Sequence, residues 1–72
     1  MKWLDINEIA EALEEKYPHA DVVNISFPNL KEFILSLKEF KDKKEGCNEK
    51  ILEAIQMAWL GLRDVDYETD DL

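Results

Sequence analysis

Apolar residues recur at helical spacing in three separate stretches of the chain. The most regular covers residues 47–60, CNEKILEAIQMAWL. Advanced by about 100° per residue, Ile51, Leu52, Ala54, Ile55, Ala58, Trp59 and Leu62 gather on one side of a helix, and Glu49, Glu53 and Gln56 on another. Asn48 or Cys47 supplies a start, Glu49 a negative charge at the positive end, and Gly61 a stop. In the first stretch Ile6, Ile9, Ala10, Leu13 and Tyr17 share one face. Asp5, Glu8, Glu11 and Glu15 lie almost opposite, within about 120° of arc. Asp5 followed three residues later by Glu8 resembles a capping box, and Tyr17-Pro18 closes this helix near Lys16. Trp3 is expected to fold back onto its apolar face.

The remaining segments are shorter. Ala20 to Phe27 is rich in β-branched residues and reads as extended, a single short strand at most, and a lone strand makes no sheet. Pro28-Asn29 opens a second helix in which Leu30, Phe33, Ile34, Leu37 and Phe40 share a face. Lys41 to Gly46 has no apolar residue and reads as a surface loop. Beyond Gly61 the sequence LRDVDYETDDL loses periodicity and gathers acids. The expected architecture is therefore all-α: a small three-helix bundle, winged-helix-like, with a short extended segment between helices 1 and 2. A single helical domain is expected over residues 1–62 and a disordered acidic tail over 63–72. The expected core is Trp3, Ile9, Leu13, Phe27, Leu30, Phe33, Ile34, Leu37, Phe40, Ile51, Leu52, Ile55 and Trp59. Leu35, Met57 and Leu60 fall off these faces, half-buried at helix ends or open to a partner.

Composition narrows the function classes. With 72 residues, 46% hydrophobic and 36% charged, the chain is one globular domain with a small stability margin. No apolar run approaches the roughly 20 residues of a membrane span, and the opening residues lack the apolar core of a signal peptide, so a cytoplasmic protein is expected, and it is read as a monomer. A single cysteine, Cys47, excludes an internal disulfide, and one histidine, His19, beside it excludes a Cys/His zinc cage. Nothing assembles a nucleophile, a base and an oxyanion donor, so no catalytic activity is expected.

The net charge of −8 is unevenly spread. Residues 1–30 carry six acids against two lysines, residues 31–50 five acids against six lysines, and residues 51–72 six acids against Arg63 alone. This balance repels a phosphate backbone and attracts a basic protein surface or a divalent cation. The stripe of Asp5, Glu8, Glu11 and Glu15 has two readings on these grounds. It is either a solvated face that keeps a small protein soluble, or a contact face for a basic partner or a carboxylate-seeking cation.

A family resemblance sharpens the choice. KW-x-D-x-x-E-I at Lys2 to Ile9, EAL at Glu11 to Leu13, YP at Tyr17-Pro18, Phe27, and NEKILEAI followed by WL between Asn48 and Leu60 together resemble the IscX family of small acidic iron-sulfur cluster assembly proteins. The resemblance implies a winged-helix-like helical domain and a non-catalytic regulator that binds the cysteine desulfurase IscS through acidic residues. It further implies weak binding of ferrous iron and competition with bacterial frataxin.

Transferred by position, the partner-binding residues are Asp5, Glu8, Glu11, Glu15, Asp21, Glu49 and Glu53. The metal-binding residues are Glu8, Glu11, Glu15 and Asp21. The chain departs from the family pattern where His19, Ser36 and Lys38 replace expected acids, where Lys41, Lys43 and Lys44 break an acid-rich run, and where Cys47 stands in place of serine. These departures leave the first-helix stripe as the expected site for iron, with no tightly bound cofactor. The alternatives are an iron chaperone or donor for cluster assembly and, with only fold-level support, a winged-helix nucleic-acid-binding protein. His19 next to Asp21, and Cys47 at a helix start, are read as a turn residue and a substitution without redox role.

Overall fold

The structure, a computed structural model, describes the backbone of residues 1–70 and side chains as far as Arg63. Three helices follow one another, α1 (Ile6–Lys16), α2 (Phe27–Leu35) and α3 (Glu49–Asp70), with a single 3-10 turn at Lys44–Gly46 before the last. No strand, and so no β-wing, is present among the described residues. The chain is all-α, and α3 is the central element: α1 packs chiefly against it and α2 packs against it more than against α1.

The helix starts follow their local chemistry only in part. At α3, Asn48 accepts the backbone N–H of Ile51 at 2.9 Å, so of the two expected starters Asn48 is the cap. At α2, Ser26 accepts from the N–H of Asn29 at 3.3 Å, and Pro28 occupies the first turn, where its missing N–H costs nothing. The capping box expected at Asp5 is not formed. The Asp5 carboxylate turns back to the N–H of Lys2 at 2.8 Å and gives no side-chain cap to α1. Because the N–H of Asp5 also bonds to the Lys2 carbonyl at 2.9 Å, this side chain is spent on closing the turn that leads into the helix.

Two further expectations are corrected. Ala20 to Phe27 holds no strand: residues 22–24 form a turn and Phe27 is already the first residue of α2. Asp21 stabilises that turn by accepting from the backbone and side-chain amides of Asn24, and Gln56 on α3 ties it down through the carbonyl of Val22 at 2.8 Å. The second helix also stops at Leu35 rather than carrying on to Phe40. The Ser36 hydroxyl bonds to the Phe33 carbonyl at 2.6 Å, and i to i+3 bonds from Leu37 to Ile34 and from Phe40 to Leu37 carry the chain onward in tight turns. Leu37 and Phe40 still reach the core, but from these turns.

The core comprises Trp3, Ile9, Ala10, Leu13, Val22, Leu30, Ile34, Leu37, Phe40, Leu52, Ile55 and Trp59. Phe27, Phe33 and Ile51, expected inside, are half-buried at its margin, whereas Ala10 and Val22 join it. Of the off-face residues, Leu35 and Leu60 are half-buried and Met57 is 63% exposed.

Trp3 packs edge-on against Phe40, ring centroids 4.6 Å apart, and its indole N–H donates to the Lys43 carbonyl at 2.6 Å. It is therefore a plug between the chain start and the 40–46 loop. A methyl group on Gly46 would lie 2.9 Å from Trp3 Cδ1, closer than carbon atoms approach without displacement. Gly46→Ala should therefore destabilise the protein by about 1 kcal/mol, at the low end of overpacking costs, read as a lowered urea midpoint with an unchanged slope.

The helix stop expected at Gly61 is absent, since α3 runs through it to Asp70. No glycine among the described residues adopts positive φ, so Gly61 lacks the left-handed geometry of a terminator. The expected disorder of residues 63–72 falls on side chains beyond Arg63 and a terminus outside the described residues. Arg63 itself belongs to the folded body, as its contacts below establish.

Candidate functional site

The outward face of α1 forms one side of an open groove of about 520 Å³, lined by Met1, Glu8, Glu11, Ala12, Glu15 and Glu39. Helical spacing sets Glu8, Glu11 and Glu15 in a row, with about 10 Å of axial rise from first to last. Glu39 arrives from the turn after α2, brought there because Leu37 and Phe40 on either side of it are drawn into the core. Glu8, Glu11, Glu15 and Glu39 are all exposed, and their carboxylates have no hydrogen-bond or ion-pair partner among the described residues. Glu39 was missed from sequence because it belongs to a different element and reaches the groove only through the early end of α2.

The other expected site residues lie elsewhere. Asp5 closes the Lys2–Asp5 turn. Asp21 lines a separate depression with Asn24, Ser26, Asn29 and Phe33, with its carboxylate engaged by Asn24. Glu49 and Glu53 stand one turn apart on α3 and line a small hollow with Phe27 and Lys50. The seven expected contact residues thus divide into three acids along one groove, two on α3 and two tied into local turns. Of the four expected iron ligands, Glu8, Glu11 and Glu15 share the groove and Asp21 does not. Among the described residues no group of three or more His, Cys, Asp or Glu side chains converges to metal-ligand spacing. The row along α1 is an extended electrostatic surface rather than a closed cage.

One acid of α1 stands apart from that row. Glu14 accepts the indole N–H of Trp59 at 2.8 Å and Arg63 Nε at 2.9 Å. Arg63 also donates to the carbonyls of Ala20, Tyr17 and Pro18, and its guanidinium lies 5.3 Å from the Trp59 ring centroid. These carbonyls belong to the C-cap residue of α1 and the turn that follows, which Arg63 reaches from α3 and ties down. Partial burial pushes the Glu14 carboxyl up, but the Trp59 and Arg63 donors, the Arg63 charge and a smaller contribution from His19 together hold it below its ordinary value. Glu14 is thus withdrawn from the α1 surface, which separates it from Glu8, Glu11 and Glu15.

Near the site, Tyr17 stacks on Phe33 with centroids 4.3 Å apart, and its hydroxyl meets Ser36 Oγ at 2.7 Å, so the Tyr-Pro pair joins the end of α1 to the end of α2. The Asp42 carboxylate accepts from the backbone N–H groups of Lys43 at 2.8 Å and Trp3 at 3.2 Å, which hold it below the usual carboxylate range. Cys47 is half-buried just before the cap of α3, and His19 is exposed in the turn after α1.

Residues 1–64 match the model of a family described as iron-sulphur cluster assembly. That match covers most of the chain, α1, α2 and the grooves included. The chain belongs to this family, the IscX proteins. An uncharacterized protein of Pseudomonas aeruginosa is 42% identical over 64 residues, covering 89% of this chain and 97% of that protein. The IscX assignment places the chain among small accessory proteins of iron-sulphur cluster assembly. No helix among the described residues is long and apolar enough to cross a membrane.

Proposed function

We propose that this IscX protein is a non-catalytic adaptor that regulates cluster assembly by binding the cysteine desulfurase IscS through the acidic face of α1, in competition with bacterial frataxin. The observation that carries the reading is the row of Glu8, Glu11 and Glu15, with Glu39 across the groove, exposed and without internal partners among the described residues. In this molecule Glu14, one residue from Glu15, is consumed by the fold, so charge on α1 is divided between structure and surface. Complementary charge of this kind accelerates encounter and fixes orientation, and its effect falls with salt.

The test is calorimetry at low salt with the triple variant Glu8→Lys/Glu11→Lys/Glu15→Lys. Desulfurase affinity should fall about tenfold, and wild-type affinity should itself weaken as salt is raised. Unchanged affinity in the variant would overturn the reading.

The four carboxylates along the groove also support loose binding of ferrous iron, a hard cation that accepts oxygen ligands. This is the basis of the alternative in which delivering iron is the main task. Anaerobic ferrous titration followed by amide NMR separates the two: shifts gathered on α1 and around Glu39 support the iron donor, and shifts spread over the acidic residues after Arg63 mark counter-ion binding.

A further inference from the structure

Lysines follow the acidic groove in sequence, and the first of them adjoins it. Lys16 and Lys38 share an adjoining depression with Glu15, Leu37 and Glu39; Lys16 is held by the Ser36 carbonyl, which leaves Lys38 as the unengaged lysine at the edge of the α1 groove. Lys41 follows two residues after Glu39, and its N–H bonds to the carbonyl of Met1, a groove-lining residue, at 2.8 Å. Lys43 and Lys44 come next. Lys38, Lys41, Lys43 and Lys44 are exposed, and none forms an ion pair with a described residue. Of the two acids interspersed among them, Asp42 is engaged by the N–H groups of Lys43 and Trp3, and Glu39 faces the groove.

The loop that carries these charges is fixed. Its backbone or side chains are bonded to the chain start at residues 39, 41, 42 and 43: Met1 N to the Glu39 carbonyl at 2.6 Å, Lys41 N to the Met1 carbonyl, Trp3 N to Asp42, and the Trp3 indole to the Lys43 carbonyl. Buried Trp3 and the close approach at Gly46 lock the same segment from inside. The backbone that carries the lysines is therefore tied to the chain start, whose Met1 lines the groove. In a protein of net charge −8, this gives the surface two adjacent signs.

We propose that the 38–44 lysine loop is the second half of the docking surface, and that the protein receiving the α1 carboxylates presents an acidic patch beside its basic one. The inference rests on the adaptor reading above and adds a requirement on the partner. A partner with a uniformly basic face would be repelled by Lys38, Lys41, Lys43 and Lys44, whereas a two-signed face would be held in one register and orientation. The loop thereby determines specificity, discriminating between desulfurases by the acids they place opposite it.

The two possibilities give opposite signs in one experiment. Wild type, Lys41→Glu/Lys43→Glu/Lys44→Glu and Lys41→Gln/Lys43→Gln/Lys44→Gln are titrated against the cysteine desulfurase of the same organism, at low and at physiological salt. The charge-reversed variant should bind about tenfold more weakly and the neutralised variant less weakly than that, both converging on wild type as salt is raised. Tighter or unchanged binding of the charge-reversed variant, with its thermal melt unaltered, overturns the proposal, because simple acid-on-base attraction strengthens when lysines become glutamates. Titration of the α1 triple variant in parallel distinguishes the levels. Loss of binding there with no weakening from the lysine changes defeats only this inference, and absence of wild-type binding defeats the adaptor reading and this inference together.

Discussion

Trp59→Ala is expected to leave a substantial fraction of the protein unfolded in water at room temperature. Trp59 has no exposed surface and lies on the face of α3 against which α1 packs. Truncating a fully buried tryptophan costs about 3–5 kcal/mol, whereas a domain of this size has roughly 4–11 kcal/mol in total. The substitution also removes the indole N–H that Glu14 accepts, leaving a partly buried carboxylate with one donor fewer. Urea unfolding followed by far-ultraviolet circular dichroism should show a midpoint shifted towards zero denaturant. Trp59→Phe separates the two contributions in large part: it keeps most of the ring volume and loses the donor, and should cost about 1–2 kcal/mol. If Trp59→Ala melts like wild type, α3 does not hold the molecule together as its burial indicates.

The apolar faces that make Trp59 central were legible from spacing, because periodicity is a property of one element at a time. The start of α3, as either Cys47 or Asn48, and the end of α1 before Tyr17-Pro18 were legible for the same reason. What escaped were features that depend on two elements meeting. Glu14 and Arg63 are 49 residues apart, and nothing local distinguishes Glu14 from Glu15 or marks Arg63 off from an acidic tail. Asp5 had the spacing of a cap but a stronger local alternative in the turn from Lys2. Gly61 had the identity of a terminator without its conformation.

At the site, the row of Glu8, Glu11 and Glu15 followed from helix geometry, but Glu39 required knowing that α2 ends at Leu35. Its apolar run, Leu30 to Phe40, continues at helical spacing past the point where Ser36 diverts the backbone, so periodicity carried the helix too far. Family resemblance added the chemistry that spacing lacked. It left out Glu14, which the fold consumes, but it kept Asp5 and Asp21, whose carboxylates are engaged in local turns, alongside Glu8, Glu11 and Glu15, which are free among the described residues. This division between fold and surface decides which of the expected contact residues are available to a partner.

Arg63→Ala tests that division on its structural side. The guanidinium of Arg63 bonds through its three nitrogens to Glu14 and to three carbonyls of the C-cap and turn after α1, and it lies against the Trp59 ring. With the side chain 25% exposed, the ion pair by itself contributes little, and most of the effect comes from carbonyls and a carboxylate losing donors that water replaces only in part. The expected loss is about 2 kcal/mol, or roughly 10 °C in melting temperature for a domain this small. Arg63→Lys should recover less than half of it, because one ammonium cannot reproduce a planar fork that spans four acceptors.

The pH dependence supplies an independent reading. The folded-state value of Glu14 lies below its ordinary 4.5, so its contribution is fully present above that value and is lost as pH falls through the lower, folded value. Removing Arg63 takes away two of the causes, the hydrogen bond and the charge, while the Trp59 donor stays. A series of thermal melts from pH 7 downward should therefore show wild type losing more stability than Arg63→Ala below pH 4.5, so that the difference between the two proteins narrows with acid. A constant difference across that range would mean that Arg63 stabilises the turn after α1 through the carbonyls alone, with Glu14 as a bystander.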